Sequence, residues 1–196
     1  MITLTGSDLS IDEVVAVARR GEKVAPLDAP VRDRMSQSNE WIEAAVARGD
    51  RPIYGVNTGF GPLASERVKP EEAGRLSRNL ILNCCAGVGP PLAEDIVRAM
   101  MVIRANTLAR GNSGVRPELA DSFIRMLNKG VIPYVPSKGS LGASGDLAPL
   151  AHIGLVITRD PDGDGEDTGK AWFDGELVTG AEAMERAGIP RLVPRA

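Results

Sequence analysis

The sequence predicts a mainly α-helical fold with one small β-hairpin near the C-terminus. Three observations carry that expectation. Apolar residues recur at helical spacing through most of the 196 residues, and several of these runs are opened by a capping residue and closed by glycine. One stretch alone, "KAWFDGELV" at 170–178, sets Asp174-Gly175 between two short apolar runs, which is a hairpin signal. There is no internal repeat and no low-complexity tract.

The elements follow in order. Ser10 and Glu13 have the spacing of a capping box, and Ile11, Val14 and Val15 begin an apolar stripe that Gly21 ends. Asp28 and Pro30 open a second helix, with Val31, Met35, Trp41, Ile42, Ala45 and Val46 facing inward and Gly49 closing it. "RPIYGVNTGFGPL" at 51–63 has no helical or strand period and is expected to be a long, lid-like loop. Glu71 to about Cys84 reads as helix, with Leu76, Leu80, Ile81 and Cys84 on one face, and "AGVGPPL" breaks it. Ala93 to Arg110 has Ile96, Met100, Ile103, Thr107 and Leu108 near a period of 3.6, and a further helix runs from about Pro117 to Asn128. Asp146 is expected as the N-cap of a helix reaching Thr158. Residues 160–178 form a turn-rich acidic loop and the hairpin, and Thr179 with Glu182 caps a last short helix.

Composition excludes several function classes. The chain is 43% hydrophobic and 25% charged, ordinary for a globular protein with a buried core, and at 4% aromatic that core is aliphatic. With 23 Lys and Arg against 26 Asp and Glu, the net charge of −3 argues against a nucleic-acid partner. No apolar run approaches the ~20 residues of a membrane span, and "MITLTGSDLS" lacks the order of a signal peptide, so a cytoplasmic location is expected. Cys84 and Cys85 are adjacent, which suits neither an ordinary disulfide nor a structural zinc site with the lone His152. "DPDGDGEDTGKA" matches a calcium loop at Asp160, Asp162, Asp164 and Gly165, but its twelfth position is Ala171, so no metal is expected.

The stretch "GSLGASGDLAPLAHIG" at 139–154 asks for a chemical explanation. Gly139, Gly142 and Gly145 before a helix resemble an anion cradle, yet Asp146 puts a carboxylate where the anion would sit and the Lys-Ser/Thr of a P-loop is missing. Ser144 is followed directly by Gly145, against the G-x-S-x-G elbow. His152 lies ~12 Å further along the helix, and a lone histidine there reads as a core residue with a satisfied hydrogen bond. What remains is a reaction of the backbone. In a sharp turn the amide nitrogen of Gly145 approaches the carbonyl carbon of Ala143, unhindered by a side chain. Ring closure and dehydration of Ser144 then leave an exocyclic methylene, an electrophile that no standard side chain supplies.

The same stretch, with "YGVNTGFG" at 54–61, "AGVGPPL" and "NTLARGNSGVRPEL" at 106–119, is similar in content and order to the aromatic amino acid ammonia-lyase and aminomutase family, which includes histidine, phenylalanine and tyrosine ammonia-lyases. The resemblance covers most of residues 50–158. It implies that the chain is the N-terminal, prosthetic-group-bearing domain, over 1–196, of an ammonia-lyase-like (L-aspartase-like) helical fold. It also implies that Ala143, Ser144 and Gly145 form a 4-methylideneimidazol-5-one (MIO) group autocatalytically, with Asp146 supporting its formation. Tyr54 corresponds to the base that takes the β-proton, and Gly61 to backbone near the substrate. A tyrosine base acts as phenolate, and with an ordinary phenol pKa of ~10 the chemistry asks for a desolvated cavity. In the family the substrate amine is captured on the methylidene and leaves as ammonia, giving an α,β-unsaturated acid.

Two departures from the family pattern shape the expectation. The selectivity position of "SH-x-AG" is Cys84 here, beside Cys85, and Asn112 also stands where a histidine is common. Losing that histidine favours a less polar or differently shaped amino acid over histidine or tyrosine. Family members are also longer, with a central helical bundle that supplies a carboxylate-binding arginine and further site residues, and they assemble as tetramers. The expected partners are therefore a small-molecule amino acid and either further copies of this chain or a subunit carrying the missing half. On this reading the chain is a truncated piece, a proteolytic fragment or one subunit of a split enzyme. Alternatives are an aminomutase, a non-catalytic subunit of a split complex and, more remotely, a serine hydrolase using Ser144.

Overall fold

A computed structural model describes residues 1–163 and 167–195. Helix α1 (Ile11–Arg20) begins at the expected capping box: Ser10 accepts from the Glu13 amide and Glu13 reaches back to the Ser10 amide. Helix α2 (Ala29–Arg48) is capped by Asp28, which accepts from the Val31 amide at 3.0 Å. α3 (Pro70–Cys84), α4 (Glu94–Ala109) and α5 (Pro117–Lys129) follow, with strand β1 (Val88–Pro91) between α3 and α4. β2 (Ile132–Pro133) and β3 (Pro136–Lys138) come next, then α6 (Leu147–Ile157), β4 (Lys170–Phe173), β5 (Glu176–Thr179) and α7 (Gly180–Arg186). The fold is mainly helical, as the sequence predicts.

The core lies where α1 and α5 meet α4 and extends to α6 and α7. Val17, Met101, Met126, Ile153, Ile157 and Met184 are fully buried in one aliphatic cluster. A charged residue is buried with them. Arg98 of α4 donates to the Val17 carbonyl at 2.8 and 3.1 Å and to the Leu127 carbonyl at 3.4 Å. Those carbonyls end α1 and α5, where free acceptors and the negative end of the helix dipole favour a cation.

Two inward faces differ from the expectation. Trp41 is 51% exposed, with Arg51 stacked over its ring at 5.4 Å. At 100° per residue it lies about 120° around α2 from Met35, outside the stripe of Val31, Met35, Ile42 and Val46. In α4 the buried face is Val97, Met101, Val102, Ala105, Leu108 and Ala109, while Ile96 and Ile103 are 46% and 49% exposed. That helix is apolar nearly all round, so its periodicity did not single out one face.

The hairpin forms as expected. β4 pairs antiparallel with β5, Phe173 opposite Glu176, across a two-residue turn with Asp174 at φ 50° and Gly175 at φ 80°, both left-handed. β2 adds to the other edge of β4. A separate antiparallel pair joins β1 to β3, with Val88 opposite Lys138 and Pro91 opposite Pro136. No helix among the described residues is long and apolar enough to cross a membrane.

Candidate active site

Tyr54 stands on the connection between α2 and α3, which is cross-linked by its own side chains. Asn57, 6% exposed, accepts from the Ile53 amide at 2.6 Å and donates to the Arg51 carbonyl at 3.0 Å. Thr58, 1% exposed, accepts from the Gly55 amide at 3.2 Å and donates to the Gly59 carbonyl at 3.0 Å. These side chains satisfy backbone groups that a loop without strand or helix leaves open. The result presents Tyr54 outward, 63% exposed, its ring edge-on to Phe60 with centroids 6.0 Å apart. The Gly61 amide donates to the Tyr54 hydroxyl at 3.2 Å. Gly61 thus meets Tyr54 directly, through its backbone, at the start of a short 3-10 turn (Gly61–Leu63).

Residues 139–146 connect β3 to α6. Ala143, Ser144 and Gly145 are exposed, and Gly142 and Gly145 hold φ of 76° and 126°, a region that side chains disfavour. A Cβ on Gly145 meets nothing within 4 Å, so the glycine there serves conformation rather than packing. Asp146 takes the N-cap position of α6 but makes no cap bond to it. Its carboxylate accepts instead from the Ser140 hydroxyl, closing the segment on itself.

Cys84 ends α3 and Cys85 is its C-cap, the Cys85 amide donating to the Ile81 and Leu82 carbonyls at 3.1 Å. Both thiols are free and half-buried. Burial pushes the Cys85 thiol up to about 11; the negative charge of Asp167 and the neighbouring Cys84 add to this, and Arg78 opposes it. Arg78 is 2% exposed. It donates to the Thr158 hydroxyl at 2.8 Å and to the Asp167 carbonyl at 2.5 Å, tying α3 to the end of α6 and the segment before β4.

The expected site residues make two meetings, one within the 51–63 loop and one between two segments. Gly61 meets Tyr54, and the chain leaving Cys85 meets the chain entering the tripeptide. The second meeting is very close, since a Cβ on Gly139 would come within 3.0 Å of the Gly87 Cα. Among the described residues no hydrogen bond joins Tyr54 to residues 143–145. A cavity of about 270 Å³ lies behind the Tyr54 loop, lined by Ile42, Glu43, Val56, Ile81 and Arg116 among others, and neither Tyr54 nor the tripeptide lines it. Among the described residues none encloses Tyr54, which stays 63% exposed.

Other expected features resolve differently. His152 does not have the satisfied hydrogen bond expected of it: its Nε2 is buried and has no partner among the described residues. Asp162 of the acidic loop pairs with Arg75, while Asp164 and Gly165 lie outside the described residues. Asn57, Thr58 and Arg78 hold the site's framework, although the sequence pattern assigned them no role. Asn and Thr among glycines are a side-chain turn signal that points to the first two. Nothing local marks Arg78, whose partners lie 80 and 89 residues away.

The family model described as "Aromatic amino acid lyase" matches residues 9–196. A histidine ammonia-lyase of Treponema denticola is 50% identical over 192 residues, 98% of this chain and 36% of the relative. Ergothionase from Treponema denticola, solved with desmethyl-ergothioneine sulfonic acid, aligns with a TM-score of 0.90 at 29% identity, over 99% of this chain and 37% of that one. The phenylalanine aminomutase of Pantoea agglomerans aligns with a TM-score of 0.87 at 35% identity, over 100% of this chain and 36% of that one. The chain spans about a third of the length of the curated relatives it matches. With a match over nearly its whole length, the chain belongs to the aromatic amino acid lyase family.

Proposed function

We propose that this chain carries the electrophile and the base of an enzyme that eliminates ammonia from an aromatic or related L-amino acid. The observation that carries the reading is the turn at Ala143-Ser144-Gly145. It is exposed, open around Gly145 and held between β3 and α6, in a chain of this family. The residues fit an MIO group. Bond formation from the Gly145 nitrogen to the Ala143 carbonyl carbon releases one water, and dehydration of Ser144 releases a second. The MIO group supplies an electrophilic methylidene. Tyr54 takes the β-proton, its oxygen oriented by the Gly61 amide, and the 51–63 loop serves as the lid that excludes water. Cys84 and Cys85, ending the helix whose exit meets the tripeptide's entry, set which side chain is accepted.

The remaining walls of the site come from elsewhere, either further copies of this chain or a polypeptide matching the rest of the relatives. Exposed large apolar residues support this, since Tyr54, Leu63, Leu82, Val88, Leu141 and Leu147 all fall in or beside the site segments. A second reading, migration of the amine to the β-carbon, is favoured by the 35% identity to the phenylalanine aminomutase. The 50% identity to a histidine ammonia-lyase keeps elimination first.

Intact mass tests the proposal. The wild-type chain is expected about 36 Da below its sequence mass, two waters, and Ser144→Ala at its full mass. Wild-type chain at full mass in the assembled protein, or ammonia release that survives Ser144→Ala, overturns it. Assay of the assembled enzyme for unsaturated acid against β-amino acid separates the two outcomes.

A further inference from the structure

His152 is the one histidine of the chain and has no place in the chemistry above. It lies on α6, eight residues beyond Ser144. Its Nε2 is buried without a hydrogen-bond partner among the described residues. The neighbour it faces is Gly87, where a Cβ would stand 2.8 Å from that nitrogen and 3.1 Å from the Pro136 Cβ of β3. Gly87 is the second residue after Cys85, and its Cα is the atom that a Cβ on Gly139 would meet at 3.0 Å. Three segments therefore meet at one glycine: the exit of α3, the entry to the tripeptide and the helix that follows it.

We propose that His152 is a positioning residue, a neutral imidazole wedge that fixes Gly87 against Gly139 and so sets the Cys84-Cys85 pair relative to Ala143-Ser144-Gly145. An Nε2 bearing hydrogen would be a buried, unsatisfied donor, rarer in folded proteins than a lone acceptor. The tautomer with its proton on Nδ1 leaves a bare lone pair toward Gly87, which a small backbone tolerates at contact distance. Protonation of the ring places both an N–H and a positive charge against the glycine and drives the wedge out. Burial holds His152 below its ordinary 6.5, against the attraction of Asp167. Of the elements that meet there, the C-terminal half of α3 with its C-cap carries Arg78, Cys84 and Cys85 and β3 carries Lys138, while α6 carries no titratable group besides His152.

The inference rests on the proposed site, and its test has a readout independent of it. Cys85 of the full chain is alkylated at pH 8 with iodoacetamide in wild type, His152→Ala, His152→Phe and Gly87→Ala, with helix content followed by circular dichroism. Alkylation is expected to rise about 10-fold in His152→Ala and Gly87→Ala with helix content unchanged, because the α3 exit opens locally. His152→Phe, which keeps a ring in place, is expected near wild type. The rate of two-water loss is then measured against pH. It is expected to slow in acid in wild type, at a pH lower than an ordinary histidine would set, and to lose that acid limb in His152→Phe. Equal alkylation in all four proteins, or an acid limb that persists in His152→Phe, overturns the wedge. If the wild type never loses two waters, the prosthetic-group reading fails, and the alkylation series alone decides the role of His152.

Discussion

Tyr54 separates chemistry from stability. Its ring is mostly exposed and its hydroxyl accepts one bond, from Gly61, so removing that oxygen disturbs little of the fold. Tyr54→Phe is expected to change stability by less than ~0.5 kcal/mol in chemical denaturation. Turnover of the assembled enzyme should fall by about 100-fold or more, as loss of a proton-transfer group does. A phenylalanine variant that keeps its turnover would mean that another group is the base. The Cys84 position makes the opposite kind of claim, about choice rather than rate. Cys84→His restores an imidazole at the end of α3, and the ratio of kcat/KM values is expected to move toward substrates with imidazole or phenol side chains. An unchanged ratio over a panel of phenylalanine, tyrosine and histidine removes Cys84 from the pocket. Single residues with an odd chemistry stand out in the sequence as candidates, Tyr54 among glycines and Ala143-Ser144-Gly145 before a helix. His152 was visible too, but its missing partner was not, since hydrogen bonding depends on what the fold brings near.

At the level of elements, α3 is the weakly anchored one. Its fully buried residues are Ala73 and Arg78, so a guanidinium stands where other helices here place aliphatic side chains. Arg78 spans α3, the end of α6 and the segment before β4 with two hydrogen bonds. Arg78→Leu is expected to cost about 2–4 kcal/mol by leaving the Asp167 carbonyl and Thr158 hydroxyl without their donor. It should also raise Cys85 alkylation in the native state, because the helix end that carries the thiol loses its tie. A variant with wild-type unfolding midpoint and thiol reactivity would show that α3 is held by Ile81 against Gly154 instead. Helix limits were legible to within a residue or two wherever a cap marked them, at Ser10, Asp28, Gly49 and Thr179. Strands β1, β2 and β3 were not. β1 is four residues with two prolines and β2 is two residues, too short for alternation to register. Yet β1 and β3 are what carry the α3 exit to the tripeptide entry, so two motifs were legible while the joint between them was not.

The molecule as a whole exposes more surface than a self-contained chain of its mass. Its accessible area is 10330 Å², against about 8,900 Å² expected for a monomer of 20.7 kDa. The difference is larger than the ~800 Å² that one partner buries in a standard interface. The apolar residues left outside include the six in or beside the site segments, on the 51–63 loop, the end of α3, β1 and the entry to α6. A surface of this size and composition favours association, since burying apolar area yields roughly 25 cal/mol per Å² before the costs of binding are met. Association stabilises the bound chain by mass action, so its unfolding midpoint depends on concentration. The chain is expected to sediment as an oligomer, and its Tm to rise between micromolar and hundred-micromolar protein. Charged substitutions at Leu141 and Val88, which lie outside the core, should lower the association state without changing helix content. A monomer whose Tm is independent of concentration, and which shows no gain in Tm when coexpressed with a polypeptide matching the rest of the relatives, would sink the expectation that other subunits complete the site.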